Sequence, residues 1–402
     1  MTERIAQYRE RILRTKPTIC TERAFFYTEA YKKHEDKAVI IKRAYALKDT
    51  LEKMTIRIEP EDLIVGNHSS AIYAAPIFPE YAVEWIRKEI NDFENRPGDT
   101  FYPDQKIKDE LLSICDYWEK KTTLDKGRAL FTDDLLAIHE SGIIRAEGNL
   151  TSGDAHIAAH FRKIMDKGLG WFIEDVSQRL TGSNPVSAGG IKKQLFYRAT
   201  LMSLKAFQSF ILRFADLSAE MSAQKEAEMN NKEQNVKKRA ELIKKEKSCR
   251  AISSKKPETF YQALQLNYFV QLVLQIESNG HSLSLGRMDQ YLYPFYKADI
   301  EKGDIDDSFV MEILENTWLK LVSMKKIRSW SHTRFSAGGP LYQNVTIGGQ
   351  LRDGSDAVNE LSYLILRSVG ETKLTQPNLT VRFHKNLSND FLMECIKVIQ
   401  MG

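Results

Sequence analysis

The sequence predicts a mostly helical α/β chain, and three observations carry that reading. Long segments place apolar residues three and four apart with polar faces between them. Two short stretches, Asn344 to Gln350 and Asn378 to His384, are β-branched and alternating, and are bounded by Gly and Pro. A helical pattern at 355–370 lies between them, so strand, helix and strand follow in the order of an α/β core with neighbouring strands.

In chain order, amphipathic spacing predicts helices over 4–15, 21–56, 80–93 and 105–121, with Thr21 as an N-cap. Residues 57–79, with Pro60, Gly66, Pro76 and Pro79, read as a loop with a short strand near Leu63 to Gly66. A second loop, 142–156, contains Gly142, Gly148, Asn149 and Gly153. Helical patterns resume at 157–180 and 193–224. Ala223 to Arg250 is rich in Lys and Glu. Because Ala, Leu, Met and Ile recur within it, it reads as part of a solvated helix pair rather than a linker. Core helices are expected at 257–277 and 307–324. There is no internal repeat and no low-complexity segment.

Several function classes are disfavoured. The chain is 42% hydrophobic and 28% charged, which suits a packed core under a charged surface rather than disorder. Its net charge of +4 is dispersed, so no nucleic-acid partner is expected. No run of 18 apolar residues predicts a membrane span. The opening MTERIAQYRERILRTK carries charges throughout, unlike a signal peptide. The 4 cysteines lack paired spacing, which suits reduced thiols in a cytoplasm rather than disulfides or zinc. Cys395, in FLMECIKVI, reads as a packed thiol on a helix.

The segment Ile276 to Tyr296 is the most informative. Glu277, Ser278, Asn279, His281 and Ser282 directly follow the apolar run LNYFVQLVLQI. Polar groups at the end of a core element are costly to desolvate unless each finds a partner. One reading is a capped helix end, with Gly280 terminating the helix. The other is a polar pocket for a small hydroxylated molecule.

The same segment resembles glycyl radical enzymes of the pyruvate formate-lyase type. The resemblance runs the length of the chain through TERAFFYTEAYKK (21–33), EDLIVGNHSS (61–70), GDAHIAAHFRKIMDKGLG (153–170), KPETFYQALQLNYF (256–269), AGGPLYQNVTIGGQ (337–350) and QPNLTVRFHKN (376–386). The nearest subgroup resembles the cobalamin-independent glycerol and propane-1,2-diol dehydratases. By that resemblance, residues 1–402 would form the N-terminal portion of a pyruvate formate-lyase-like domain, part of a ten-stranded α/β barrel wrapped in helices. His156, His281 and Ser282 match the residues that bind substrate hydroxyls in the diol dehydratases. The radical cysteine and radical glycine of the family have no counterpart at Cys20, Cys115, Cys249 or Cys395, nor in any glycine motif. The resemblance therefore implies an N-terminal fragment, inactive alone and exposing apolar surface. It implies no bound cofactor beyond a glycyl radical installed by an S-adenosylmethionine-dependent activating enzyme. It also implies a small-molecule substrate, a homodimer and an anaerobic cytoplasm.

Alternatives stay open. His156 could instead be a helix-cap or core histidine, and Asp154 could cap a helix starting near it. Two departures from the relatives matter: His160-Phe161 lacks their carboxylate, and Gly339 stands where they carry an aromatic. A choline lyase would show a carboxylate near Thr151 and Ser152, and a sulfonate lyase an Arg or Lys such as Arg145. Neutral Ser152 leans toward a polyol. A formate acetyltransferase-like member and a non-catalytic product remain the other readings.

Overall fold

The computed structural model describes residues 1–401 apart from 144–147, 154–155, 228–232, 281 and 336–340. Its centre is the helix Phe260–Glu277, apolar on nearly every face and buried along most of its length. A helix hydrophobic all round belongs inside a core. Around it pack Ala188–Ala227, Glu233–Ile252, Asp307–Ser323 and Glu360–Thr372, and their apolar residues form one continuous cluster.

Among the described residues the strands are short and pair in parallel. Strand β1 (Thr18–Cys20) lies beside β2 (Ala74–Pro76). Strand β3 (Ile157–Ala158) lies beside β4 (Leu283–Ser284). Strand β5 (Gly286–Arg287) pairs with β6 (Asn344–Gly348), which pairs in turn with β7 (Asn378–Arg382). Between β4 and β5, the Leu285 amide donates to the Asn344 carbonyl at 2.8 Å and joins the last two sheets along one backbone. The α/β order expected around 344–384 is therefore present.

Several boundaries differ from the sequence reading: the expected helix 80–93 is only Glu84–Glu89, and the expected loop 142–156 contains the short helix Gly148–Ser152. The expected helix 21–56 is two helices, Glu22–Lys33 and Val39–Lys53. Residues 34–37 are all polar and offer no apolar stripe to continue it, and the His34 ring stacks on Tyr45 at 3.8 Å as the chain turns back. Thr21 precedes the first of these but makes no cap bond. Its hydroxyl donates to Glu110 instead. Leu63 to Gly66 is not a strand, because side chains satisfy its backbone. Gln265 accepts from the Val65 amide at 2.8 Å and donates to the Val65 carbonyl at 2.9 Å, while Asn316 accepts from the Leu63 amide at 3.0 Å. The expected helix 157–180 opens as β3 and then breaks at Gly168, where φ is +76°, into Phe161–Lys167 and Leu169–Thr181. A Cβ at Gly168 would lie 2.4 Å from the Lys256 backbone nitrogen, so only glycine lets the two chains approach.

The Lys- and Glu-rich stretch forms the second half of a helix pair, Ala188–Ala227 against Glu233–Ile252. Cys395 lies in the helix Asn389–Gln400 with its thiol packed in the core.

Candidate functional site

The site is built where the helix Phe260–Glu277 ends. The helix stops at Glu277, before the Gly280 expected to terminate it, because Ser278 is already extended. The last carbonyls of a helix lack intrahelical donors and carry its negative dipole end, so cations near them are stabilising. Here every carbonyl from 276 to 280 accepts from a cationic side chain. Arg23 donates to Ile276 at 2.7 Å and to Glu277 at 3.3 Å, and Arg43 donates to Glu277 at 3.2 Å. Lys326 donates to Ser278 and, at 3.2 Å, to Gly280, while Arg328 donates to Asn279 at 2.6 Å.

Arg23 is 2% exposed and uses its whole donor fork. Beyond the two helix carbonyls it donates to both carboxylate oxygens of buried Glu80, at 2.6 and 3.1 Å, and to the Ile77 carbonyl. Its guanidinium lies between the Tyr27 and Phe78 rings, 3.7 and 3.6 Å from their centroids. Such a buried pair is tolerable only because every donor is met. Ser278 and Asn279 are buried, and the Ser278 hydroxyl accepts from the Gly280 amide at 3.1 Å. The loop that introduces Ser282 is thereby fixed from several sides.

Ser282 has φ of +64°, a left-handed conformation uncommon for a non-glycine residue and frequent at functional sites. Its amide donates to the Leu341 carbonyl at 2.7 Å. The chain then enters β4, whose Leu283 carbonyl accepts from the buried Gln271 amide at 2.9 Å.

His156 reaches the same place from the other side. In the β3–β4 register Ile157 is opposite Leu283. His156 and Ser282 are each the residue just before that pair, so the two backbones enter side by side although the residues lie far apart in the sequence. His156 is exposed and precedes a strand, so it is neither a core histidine nor part of a helix cap. Gly153 ties this segment down: its φ is +63°, its carbonyl accepts from the Ser278 hydroxyl at 3.3 Å, and a Cβ there would meet the Tyr81 ring at 2.1 Å. His281, the third expected site residue, lies outside the described residues, as do Asp154, Arg145 and Gly339. His160, left without a role by its sequence context, caps Phe161–Lys167 by accepting from the Lys163 amide at 3.3 Å.

A narrow recess of about 10 Å³ adjoins the two loops. Ser152, Asn279, Arg328, Ser329 and His332 form its polar wall, opposite Phe78 and Trp85. That volume holds about one water, so a larger ligand would have to displace side chains. A far larger cavity of about 880 Å³ reaches β3 at Ile157 and the adjoining Ala159, and extends between Val39–Lys53, residues 161–181, Ala188–Ala227 and Phe260–Glu277. Its walls are mainly apolar, with the Arg43–Glu277 ion pair (2.7 Å) at one edge. Its few polar lining groups, among them His160, Lys163, Thr200 and Ser203, are set in a mainly apolar surface, so size alone does not make it the active site.

The four cations were not foreseen from the sequence. Lys326 and Arg328 alternate about buried Ile327, which is the pattern of an extended strip with one polar face, but nothing in that pattern names the carbonyls they serve.

Comparison with known proteins agrees with this frame. Residues 1–402 match the family described as pyruvate formate lyase-like. The chain belongs to that family. It is 46% identical over 407 residues to a probable dehydratase, YbiW, of Escherichia coli K12, covering all of this chain and 49% of that protein. It is 34% identical over 405 residues to the (2S)-3-sulfopropanediol dehydratase of Klebsiella oxytoca, covering 99% of this chain and 48% of that one. Among solved structures it is similar to the glycerol-bound B12-independent glycerol dehydratase of Clostridium butyricum, with a TM-score of 0.92 and 31% identity over 99% of this chain and 49% of that one. The fold is therefore the mostly helical α/β fold of the pyruvate formate-lyase type. The chain spans about half the length of the relatives it matches.

Proposed function

We propose that this chain forms the substrate-holding part of a glycyl radical dehydratase acting on a small molecule that bears a 1,2-diol. The observation that supports this reading most is the β3–β4 pairing, which brings the approach to His156 beside the approach to Ser282. Expelling water from a diol radical requires a proton donor at the departing oxygen and an acceptor for the proton of the retained hydroxyl. Imidazole can serve as either near neutral pH, and a serine hydroxyl can orient one oxygen by donating or accepting. His156, His281 and Ser282 take these roles in this reading. The rigid loop 276–280 holds Ser282 in place while the substrate is aligned, which is where much of the rate enhancement of such a site resides.

In such enzymes a thiyl radical removes hydrogen from one carbinol carbon. The four cysteines of this chain do not fit that task. All are buried in the packed interior, on elements other than the two segments that meet at the site. No step is assigned to them. The radical, the S-adenosylmethionine-dependent activating enzyme that installs it, and a homodimer belong to the proposal for the whole protein, and the chain by itself is proposed to be inactive. No helix among the described residues is long and apolar enough to cross a membrane.

One observation favours a second reading. Arg328 in the recess wall beside Asn279 suits a diol carrying an anionic group such as a sulfonate rather than neutral glycerol. Among the described residues that line the recess none is a carboxylate of the kind a choline lyase would show.

Both readings are tested by activating the natural full-length protein anaerobically and supplying glycerol, propane-1,2-diol and 3-sulfopropane-1,2-diol. The expected outcome is turnover of one or more diols, falling by about 10²-fold or more in His281→Ala and His156→Ala. Turnover of the sulfonate alone selects the second reading. Activity on no diol, or full activity in both variants, contradicts both.

A further inference from the structure

The Lys-rich helix Glu233–Ile252 carries a feature the proposed activity does not use. One of its faces borders a cleft of about 800 Å³, closed on the other side by the start of the helix Glu3–Arg14, the turn at Pro60 to Leu63, and the rings of Tyr261 and Phe309. Four lysines line it: Lys237, Lys238, Lys244 and Lys245. Two carboxylates of the cleft are held in close ion pairs and two accept hydrogen bonds from neutral groups, so the four lysines outnumber the unpaired carboxylates. Glu241 is bound by Arg4 at 2.5 Å, Glu61 by Arg11 at 2.5 Å, Glu312 by Thr2 at 2.7 Å, and Glu3 by Gln7 at 2.9 Å. Among the described residues, no carboxylate lies within ion-pair distance of any of the four ammonium groups. Lys244 rests over Tyr261 and Phe309, at 4.6 and 4.5 Å from the ring centroids.

Lys245 is the decisive member. It is only 4% exposed yet makes no hydrogen bond or ion pair among the described residues. A largely buried ammonium with no directly bonded partner is destabilising, so such residues are rare unless paired or used. Burial pushes this ammonium down to about 8. Glu241 and Asp62 oppose that change, while Arg4 and Lys320 reinforce it.

We propose that the cleft binds an elongated polyanion of the phosphate class, a di- or triphosphate chain. The spacing selects the shape. Lys237 and Lys238 stand about seven residues before Lys244 and Lys245, about 10 Å along the helix axis, so one anion must be extended to engage both pairs. Lysine ammonium groups bind phosphate oxygens as point charges without fixed geometry, which suits a chain of phosphates. Such chains occur on nucleotides and as free inorganic polyphosphate, and the cleft is roomy enough for an organic body.

Calorimetric titration of the purified protein near pH 8 at low salt, with tripolyphosphate, ATP, AMP and inorganic phosphate, tests the proposal. Saturable binding of tripolyphosphate or ATP is expected, at least tenfold tighter than AMP or inorganic phosphate. ATP tighter than tripolyphosphate assigns the nucleotide as the source, and equal affinities assign the phosphate chain alone. Because part of the Lys245 population is neutral at that pH, binding should take up protons, giving an enthalpy that changes with buffer. In Lys245→Arg, binding should persist without the uptake. The double variant Lys237→Gln/Lys238→Gln should keep the melting temperature and lose affinity at least tenfold. No saturable binding, single phosphates binding as well as triphosphates, or unchanged affinity in the double variant would overturn the proposal.

Discussion

The two segments that meet at the candidate site are held in opposite ways. From Ile276 to Gly280 every carbonyl is bound by a cation, Ser278 and Asn279 are buried, and the donors Arg23 and Lys326 are buried with them. Across the β3–β4 pair, His156, Ile157 and Ala158 are exposed on a short strand and its approach. One wall is thus assembled in advance, at the cost of burying several charges. The other has little apolar burial to resist local opening, which is typical of segments that adjust around a ligand. In the proposed site the contrast assigns orientation to the Ser282 side and adaptation to the His156 side.

The largest effect should come from breaking the rigid wall. Arg23→Met keeps an apolar side chain between Tyr27 and Phe78 but leaves Glu80 buried without a counter-ion. It also removes donors from the Ile276 and Glu277 carbonyls. The expected destabilisation is about 3–5 kcal/mol, read from urea unfolding of the purified protein. A loss below about 1 kcal/mol would mean that the wall is not held as described.

A smaller effect is expected at the adaptable wall. Gly153→Ala places a Cβ against the Tyr81 ring at a positive φ, so the segment must shift. The strand that follows, Ile157–Ala158, is exposed and can move with it, and the expected cost is about 1–3 kcal/mol. The same unfolding measurement checks it, and hydrogen exchange should show faster opening at 157–158 with 276–280 unchanged. Equal acceleration in both segments would erase the distinction between the walls.

Much of this was legible in the sequence, for specific reasons. The α/β order of β6, the helix Glu360–Thr372 and β7 was readable because β-branched alternation and helical spacing are local signals. The central helix was readable from its apolar run. The side-by-side entry of His156 and Ser282 was reachable only through family motifs, since no local pattern predicts pairing between segments so far apart in the chain. The strand misplaced at Leu63 to Gly66 shows the limit. Its residues look like a strand, but the distant Gln265 and Asn316 satisfy its backbone and remove any need for a sheet partner. The cation shell escaped notice for the same reason: Arg23, Arg43, Lys326 and Arg328 look like ordinary surface charges until the helix end is placed among them.

In the proposed site, β3 and β4 bring His156 and Ser282 to one diol. A crystal structure of the protein with propane-1,2-diol tests this most directly. The expected result is the diol between the two segments, with its hydroxyls at about 3 Å from the His156 imidazole and the Ser282 hydroxyl. A diol seated in the apolar cavity beside the Arg43–Glu277 pair, or His156 and Ser282 facing separate surfaces, would contradict it.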